Sequence, residues 1–385
     1  PHQNKELFER LSGDTLVDLV TESQDQIRGW FYVLLFTGMA TFEKPAYRNI
    51  SMMGWVVDEK GNKMSKSVGN VVWAEDALQK LGGDVIRLYY CWDIAPWDVQ
   101  KFSLDSAKEV YRALNIYWNA LAFYEAYKPD DFVPTTPDAK AVEDAWILSR
   151  LSTVTAEILD HFERFEFHHV GRKLVDFCVN DFSRWYVKLV RDRASAGDES
   201  AEQVFHTMHA VLSGLTKLLA PIAPFITEYV WQRLGNTDSV HFEAYPQAGA
   251  SDSALETTMA AAMRITEAAN AARTDATLKL RWPVKQVLVQ GNADVEKAVV
   301  SLQAILRSSL NALSVTYVQE KPAGAFAEKA FKGGTVFLDT VRDEKLLHMA
   351  RFRELTRKIQ SERKKAGLHV KDEILLSLHV ADSAF

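Results

Sequence analysis

The chain has 385 residues, 47% hydrophobic and 25% charged, with a net charge of −6. That is an ordinary globular composition for two or three domains, and the acidic balance excludes binding of nucleic acid by overall basic charge, leaving only local patches. The two cysteines, Cys91 and Cys178, lie far apart and make neither a metal-ligand spacing nor a disulfide framework, which fits a reducing, cytoplasmic setting.

No uninterrupted apolar span is long enough to cross a membrane. The opening PHQNKELFER lacks the apolar core of a secretory signal and has no initiator methionine, so the chain reads as a piece of a longer protein. Residues 1–105 read as α/β: a helical pattern in DQIRGWFYVLLF, a buried strand near Ile50–Val57, then a lysine-rich loop. Two short helices follow, near Ala74–Lys80 and Asp84–Cys91, parted by Gly82-Gly83. This alternation suits a partial nucleotide-binding, Rossmann-like sheet.

Residues 106–250 turn helical, with four stretches that place apolar residues three and four apart, as in a helical bundle. Pro221 and Pro224 predict a kink or break in the fourth stretch. Residues 251–385 read as a small α+β domain. After a helix near Ala254–Arg273, its order is β-α-β-β-α-β, from KQVLVQ to a last strand in EILLSLHV. The predicted fold class is therefore multidomain: a partial α/β nucleotide-binding fold, an all-α helical bundle and a small α+β domain.

The segment GNKMSKSVGN, Gly61 to Asn70, places two lysines and two serines within five residues between glycines. Lysines on flexible stems can close over phosphate, serines can donate hydrogen bonds, and the glycines permit unusual backbone angles. Such a loop works by electrostatics at a reacting phosphorus. A generic lysine–serine loop is a solvated surface turn, but the order Lys63-Met64-Ser65-Lys66-Ser67 with Gly69-Asn70 behind it reverses that preference.

Lys63–Ser67 reads KMSKS and resembles the second signature of the class I aminoacyl-tRNA synthetases. The resemblance implies that Lys66 is the principal contact to ATP phosphates, supported by Lys63, Ser65 and Ser67, with Met64 packed beneath the loop. Upstream, ESQDQIRGWF, Glu22 to Phe31, looks like the corresponding motif of isoleucyl-tRNA synthetases. Glu22, Asp25 and Gln26 would then lie against the aminoacyl-adenylate, with Trp30 as a flat wall for a branched side chain. Read from its residues alone, the same stretch is a helix N-terminus capped by Asp25.

GGDVIRLYYCWDIAPWDVQKFS, NDFSRWYVKLVRDR and ELTRKIQSERKKAGL extend the likeness, in the archaeal and eukaryotic-like branch, over nearly the whole chain. Two features depart from it: Met53-Gly54 stands where many relatives have His-Gly, and no HIGH signature is found, His2 being the one histidine near the start. The expectation is a C-terminal portion, without the HIGH half and the editing domain, inactive alone. The intact enzyme would join isoleucine to tRNA(Ile), using ATP brought as its Mg2+ complex, as a cytoplasmic monomer.

The resemblance makes the bundle a tRNA-binding element. Arg184, Lys188 and Arg191 are candidates there, although charge patterning alone reads their face as solvated, and Arg357 and Lys358 are candidates on the basic helix Arg351–Lys365, which is better suited to phosphate contact. His168-His169 reads as a helix start, and no metal site is expected in this chain, though family members may bind zinc elsewhere. The alternatives are a non-catalytic tRNA-binding module with a vestigial loop, or a valine-specific class I synthetase. The latter is a narrow distinction, because one methylene is worth only about 1–3 kcal/mol in an apolar pocket, a limit for which isoleucyl enzymes are the standard example.

Overall fold

The computed structural model describes residues 5–6, 17–324, 326–368 and 372–378. The chain divides into two units, each discontinuous in sequence. One comprises Pro1–Ala122, Arg150–Arg184 and His206–Ser251, the other Phe123–Ser149, Trp185–Phe205 and Asp252–Phe385. As composition and periodicity predict, an α/β segment is followed by helices and then by a small α+β segment.

The first unit opens with β1 (Val17–Ser23), a 3-10 turn (Gln24–Arg28), α1 (Trp30–Phe42) and β2 (Tyr47–Met53). β1 and β2 pair in parallel with Glu22 opposite Met52, and α1 supplies the crossover that parallel strands require. The strand expected over Ile50–Val57 is broken into β2 and β3 (Val56–Val57). Gly54 is the reason: its N–H donates to the Pro96 carbonyl at 2.7 Å, and a Cβ there would lie 1.9 Å from the Asp98 carbonyl oxygen. Only glycine lets the two backbones approach that closely.

After the lysine loop come α2 (Ala74–Leu81), α3 (Gly83–Tyr90) and β4 (Gln100–Lys101), which pairs in parallel with β3. Gly82, at φ +83°, ends α2 in a conformation that residues with a Cβ resist. The helical middle follows as α4 (Leu104–Tyr127), α5 (Val142–Glu163), α6 (Phe167–Asp176), a π-helical stretch (Phe177–Val187), α7 (Lys188–Ala194), α8 (Glu199–Leu219) and α9 (Pro224–Arg233). The expected proline break lies between α8 and α9, with Pro224 in the first turn of α9, where its missing N–H costs nothing.

α3 binds this break directly. The buried Asp84 carboxylate accepts from the Ile226 N–H at 2.7 Å, satisfying an orphan donor at the positive end of α9. Arg87 pairs with Asp84 and donates through Nε to the Ile222 carbonyl at 3.0 Å.

The second unit packs α10 (Ser253–Asp275) against a sheet of β5 (Val284–Gly291), β6 (Ala312–Tyr317), β7 (Phe326–Phe331) and β8 (Gly334–Asp339) in the order β6-β5-β8-β7. The β5–β6 pair is parallel and the other two pairs are antiparallel. α11 (Ala293–Ser301) and α12 (Gln303–Leu310) make the β5–β6 crossover, where the sequence suggests one helix. The inward face of α10 is largely alanine, which lets helix and sheet approach closely around Ile265, Val287, Val315 and Leu338. Arg273 is 1% exposed and donates at 2.7 Å to each of the carbonyls of Trp282 and Leu310, so backbone dipoles hold a buried cation.

Two differences from the sequence reading lie here. FAEKAF forms the edge strand β7, and residues 372–378 form no strand, with Leu375 99% exposed. The end of the expected last strand lies outside the described residues, as does His2. α13 (Glu344–Lys365) is capped by Asp343, which accepts from the Leu346 N–H at 2.8 Å, and buries only Leu346 and Ala350.

Gly171 of α6 faces the turn after α3 so closely that a Cβ would lie 1.8 Å from the Cys91 carbonyl oxygen. Gly171→Ala therefore forces these elements apart. It is expected to destabilise by about 1–3 kcal/mol, seen as a lower urea midpoint, whereas a Gly249→Ala control, whose Cβ would meet only Ser152 Oγ at 3.8 Å, shifts the midpoint less.

Candidate functional site

β1 delivers Glu22 at its C-terminal end, and the chain turns at once through Ser23–Arg28 into α1. The Gln26 side chain closes this turn. Its Oε1 accepts from the Trp30 N–H at 3.2 Å and its Nε2 donates to Asp25 Oδ2 at 3.0 Å. Gly29 makes this possible, because a Cβ there would lie 2.8 Å from Gln26 Oε1. Asp25, a candidate cap from sequence, caps nothing. Gln26 satisfies the first donor of α1, and the Glu22 and Asp25 carboxylates are left exposed at the strand end. The Trp30 indole is 44% exposed, with its centroid 6.1 Å from that of Phe31.

From β2, opposite Glu22, the chain passes through Gly54 into β3, and Val57 bridges Lys63 at the base of the lysine loop. Asp58 shapes the approach, accepting at Oδ1 from the N–H groups of Lys60 at 3.0 Å and Asn62 at 2.7 Å, while Gly61 takes φ +85°. Asn70 then closes the loop. Its Oδ1 accepts from the Ser65 N–H at 2.9 Å, and its Nδ2 donates to Asp58 Oδ2 at 2.9 Å and to the Lys63 carbonyl at 3.2 Å.

The Asn70 bond, then the Asn62 backbone bond, hold the Asp58 carboxyl below its ordinary range. A depressed acid stabilises the fold above its unfolded pKa and loses that contribution as pH falls through the folded value. The clasp is therefore fully present at neutral pH and lost only in strong acid.

The tip of the loop is a turn closed by bonds from the Val68 and Gly69 N–H groups to the Ser65 carbonyl, both 3.2 Å, with Ser65 Oγ and Ser67 Oγ also 3.2 Å apart. Lys63 and Lys66 are exposed, and among the described residues neither has a carboxylate partner. Lys66 Nζ lies 5.0 Å from the centre of the Trp73 ring. Met64 points into a cavity of about 260 Å3 whose walls include Val56, Val72, Trp73, Ile86 and Phe102. That cavity does not include Trp30. The structure thus brings Lys63, Ser65, Lys66 and Ser67 together on one loop, and Glu22, Asp25, Gln26 and Trp30 on one turn.

Sequence reasoning counted Asn70 in the loop segment without giving it a role, and did not single out Trp73. The signal for Asn70 was its position behind Gly69, where a side-chain amide can reach back to the segment that begins the loop.

On the helical side, Arg184, Lys188, Arg191, Arg357 and Lys358 are all exposed. Arg193, another basic residue of the same stretch, instead pairs with Glu143 and with Asp144 at 2.7 Å. Burial pushes the Asp144 carboxyl up, opposed by Arg193. Arg184 also lines an open cleft of about 680 Å3 with Trp92, Arg112, Arg172 and Lys173, the last three not singled out from sequence. Arg172 is fixed there by donating through Nε to the Trp92 carbonyl at 2.9 Å. Among the described residues, no three His, Cys, Asp or Glu side chains are grouped to hold a metal ion, and no helix is long and apolar enough to cross a membrane.

The family described as tRNA synthetases class I (I, L, M and V) matches residues 1–99, and that described as Anticodon-binding domain of tRNA ligase matches residues 144–289. Isoleucine--tRNA ligase of Pyrococcus abyssi is 33% identical over 99% of this chain and 42% of its own length. That of Methanothermobacter thermautotrophicus is 38% identical over 79% of this chain and 31% of its own length. The chain thus spans less than half the length of these relatives. Among solved structures, Mycobacterium tuberculosis methionyl-tRNA synthetase in complex with methionyl-adenylate aligns with a TM-score of 0.52 at 21% identity. It covers 62% of this chain and 47% of that one, a likeness of fold. The chain thus matches the class I tRNA synthetases over its first 99 residues and is similar, along nearly its whole length, to the isoleucine--tRNA ligases.

Proposed function

We propose that this chain is the part of an isoleucine--tRNA ligase that carries the second ATP signature and the tRNA-facing helices. The observation that carries the reading is the clasped loop, which presents two exposed ammonium groups, without a carboxylate partner among the described residues, beside two serine hydroxyls. In the reaction, a carboxylate oxygen of isoleucine attacks the α-phosphorus of ATP. The bond to the bridging oxygen breaks, and pyrophosphate leaves with its Mg2+.

Negative charge builds on the departing phosphates, where Lys66, supported by Lys63, Ser65 and Ser67, stabilises it more in the transition state than in the bound substrate. Glu22, Asp25 and Gln26 hold the polar groups of the adenylate, an ammonium needing an anionic or carbonyl partner, and Trp30 offers an apolar wall. A ribose hydroxyl of tRNA(Ile) then attacks the isoleucyl carbonyl and AMP departs. Arg184, Lys188 and Arg191 would contact tRNA from the helical middle, and Arg357 and Lys358 from α13.

The parent protein acts in this reading as a cytoplasmic monomer, and this chain alone does not activate isoleucine. Two facts support the latter: the chain spans 42% of the Pyrococcus abyssi relative, and α1 exposes Trp30, Tyr32, Val33, Phe36 and Met39. A helix so apolar on several sides belongs under further protein.

ATP–pyrophosphate exchange tests the reading. The full-length protein should exchange with isoleucine, with valine about tenfold to 200-fold less efficiently, and this chain alone should not exchange above background. Lys66→Ala in the full-length protein is expected to lower kcat by about 10²–10³ with tRNA binding kept. Unchanged exchange in that variant would instead support a non-catalytic tRNA-binding module.

The clasp yields a separate expectation. Asn70→Ala removes three hydrogen bonds, so hydrogen exchange at the Ser65 amide should speed up and kcat should fall, while the KM for isoleucine stays close to wild type. A slow, protected Ser65 amide in that variant would show that the loop is held by something else.

A further inference from the structure

Trp73 sits where the lysine loop passes into α2, in extended conformation (φ −71°, ψ 140°), and offers no side-chain cap to the helix. Serine, threonine, aspartate or asparagine at this position would satisfy an orphan N–H, so a tryptophan gives up a local stabilisation. Its indole is 47% exposed, an unusual setting for so large an apolar group. The ring makes two contacts toward the loop: it forms a wall of the cavity that Met64 enters, and its face lies 5.0 Å from Lys66 Nζ.

The loop has a fixed base and a lightly held tip. Asn70 grips the backbone of Lys63 and Ser65, whereas Lys66–Gly69 are held by turn bonds of 3.2 and 3.3 Å, with Gly69 at φ +73° and nothing within 4 Å of where its Cβ would be. Among the described residues Lys66 therefore has an aromatic face and no carboxylate as its partner, and a long stem by which to leave it.

We propose that Trp73 is a positioning residue, a resting seat for the Lys66 ammonium that competes with the ATP triphosphate and so sets the affinity for ATP. The inference rests on the proposed reading that Lys66 contacts those phosphates. Each ATP that binds must first draw Lys66 off the ring, and the lost cation–π contact weakens binding by about two- to fivefold, as expected of a partly exposed pair. The apolar cavity beneath leaves the indole and Met64 room to resettle once the lysine has gone.

The test is calorimetric titration of the full-length protein with a non-hydrolysable ATP analogue, in wild type, Trp73→Leu, Trp73→Phe, Lys66→Ala and the double variant Lys66→Ala/Trp73→Leu. Trp73→Leu should bind the analogue about two- to fivefold more tightly. Trp73→Phe, which keeps a weaker ring, should lie between it and wild type, and replacing Trp73 in the Lys66→Ala background should change nothing. Binding that is unchanged or weaker in Trp73→Leu, or a gain that persists without Lys66, overturns the seat. If Lys66→Ala binds the analogue as wild type does, Lys66 makes no contact with the triphosphate in the bound state and the seat is refuted, while the kcat of Lys66→Ala still decides its role in the transition state. Weaker binding by Lys66→Ala with no gain from Trp73→Leu refutes the seat alone.

Discussion

A single side-chain amide determines the shape of the lysine loop. Asn70 ties both Lys63 and Ser65 to Asp58, and through them fixes where the loop begins and where its tip turns. Each bond is worth only about 0.5–1.5 kcal/mol net, rather more for the one to the Asp58 carboxylate, because water competes for all of them. The loop has little apolar burial of its own beyond Met64, so these bonds decide its conformation. A hydrophobic anchor of equal strength would fix the base no better, and would bring apolar bulk beside two exposed ammonium groups.

The strand-end turn is organised by the same economy. Gln26 spends its amide on the backbone of Trp30 and on Asp25, and Gly29 yields the space for it. The outcome is a short turn whose polar atoms are internally satisfied, with the Glu22 carboxylate left exposed. α1 behind it is apolar almost all round, yet of its residues only Phe31 and Gly38 are buried. Such a surface is costly to leave in water, at about 25 cal/mol per Å2, and it fits a chain that spans less than half the length of its relatives.

Much of this was legible in the sequence. Helical periodicity marked the long helices of the middle, where large side chains are buried in stripes, and Pro221 and Pro224 marked the break between α8 and α9. The lysine motif was legible because it is a fixed order of residue types that resembles a family signature. What stayed hidden depends on approach in space. FAEKAF was passed over because its glutamate and lysine dilute the apolar alternation, as suits an edge strand. The π-helical stretch Phe177–Val187 has no signature that separates it from an α-helix. Gly54 and Gly171 announce only that a side chain is absent, and the carbonyls that require it, at Asp98 and Cys91, lie 44 and 80 positions away in the chain.

The Asp84–Arg87 clamp on the start of α9 has a consequence for biosynthesis. The carboxylate and guanidinium of α3 find their partners 142 and 135 residues later in the chain. On the ribosome, the lysine loop and its flanking helices leave the exit tunnel long before those partners exist, with a buried aspartate still uncapped. This end of the first unit must therefore wait, incompletely packed, until the proline break is translated, and a nascent polypeptide stalled before residue 222 leaves Asp84 and Arg87 without these partners.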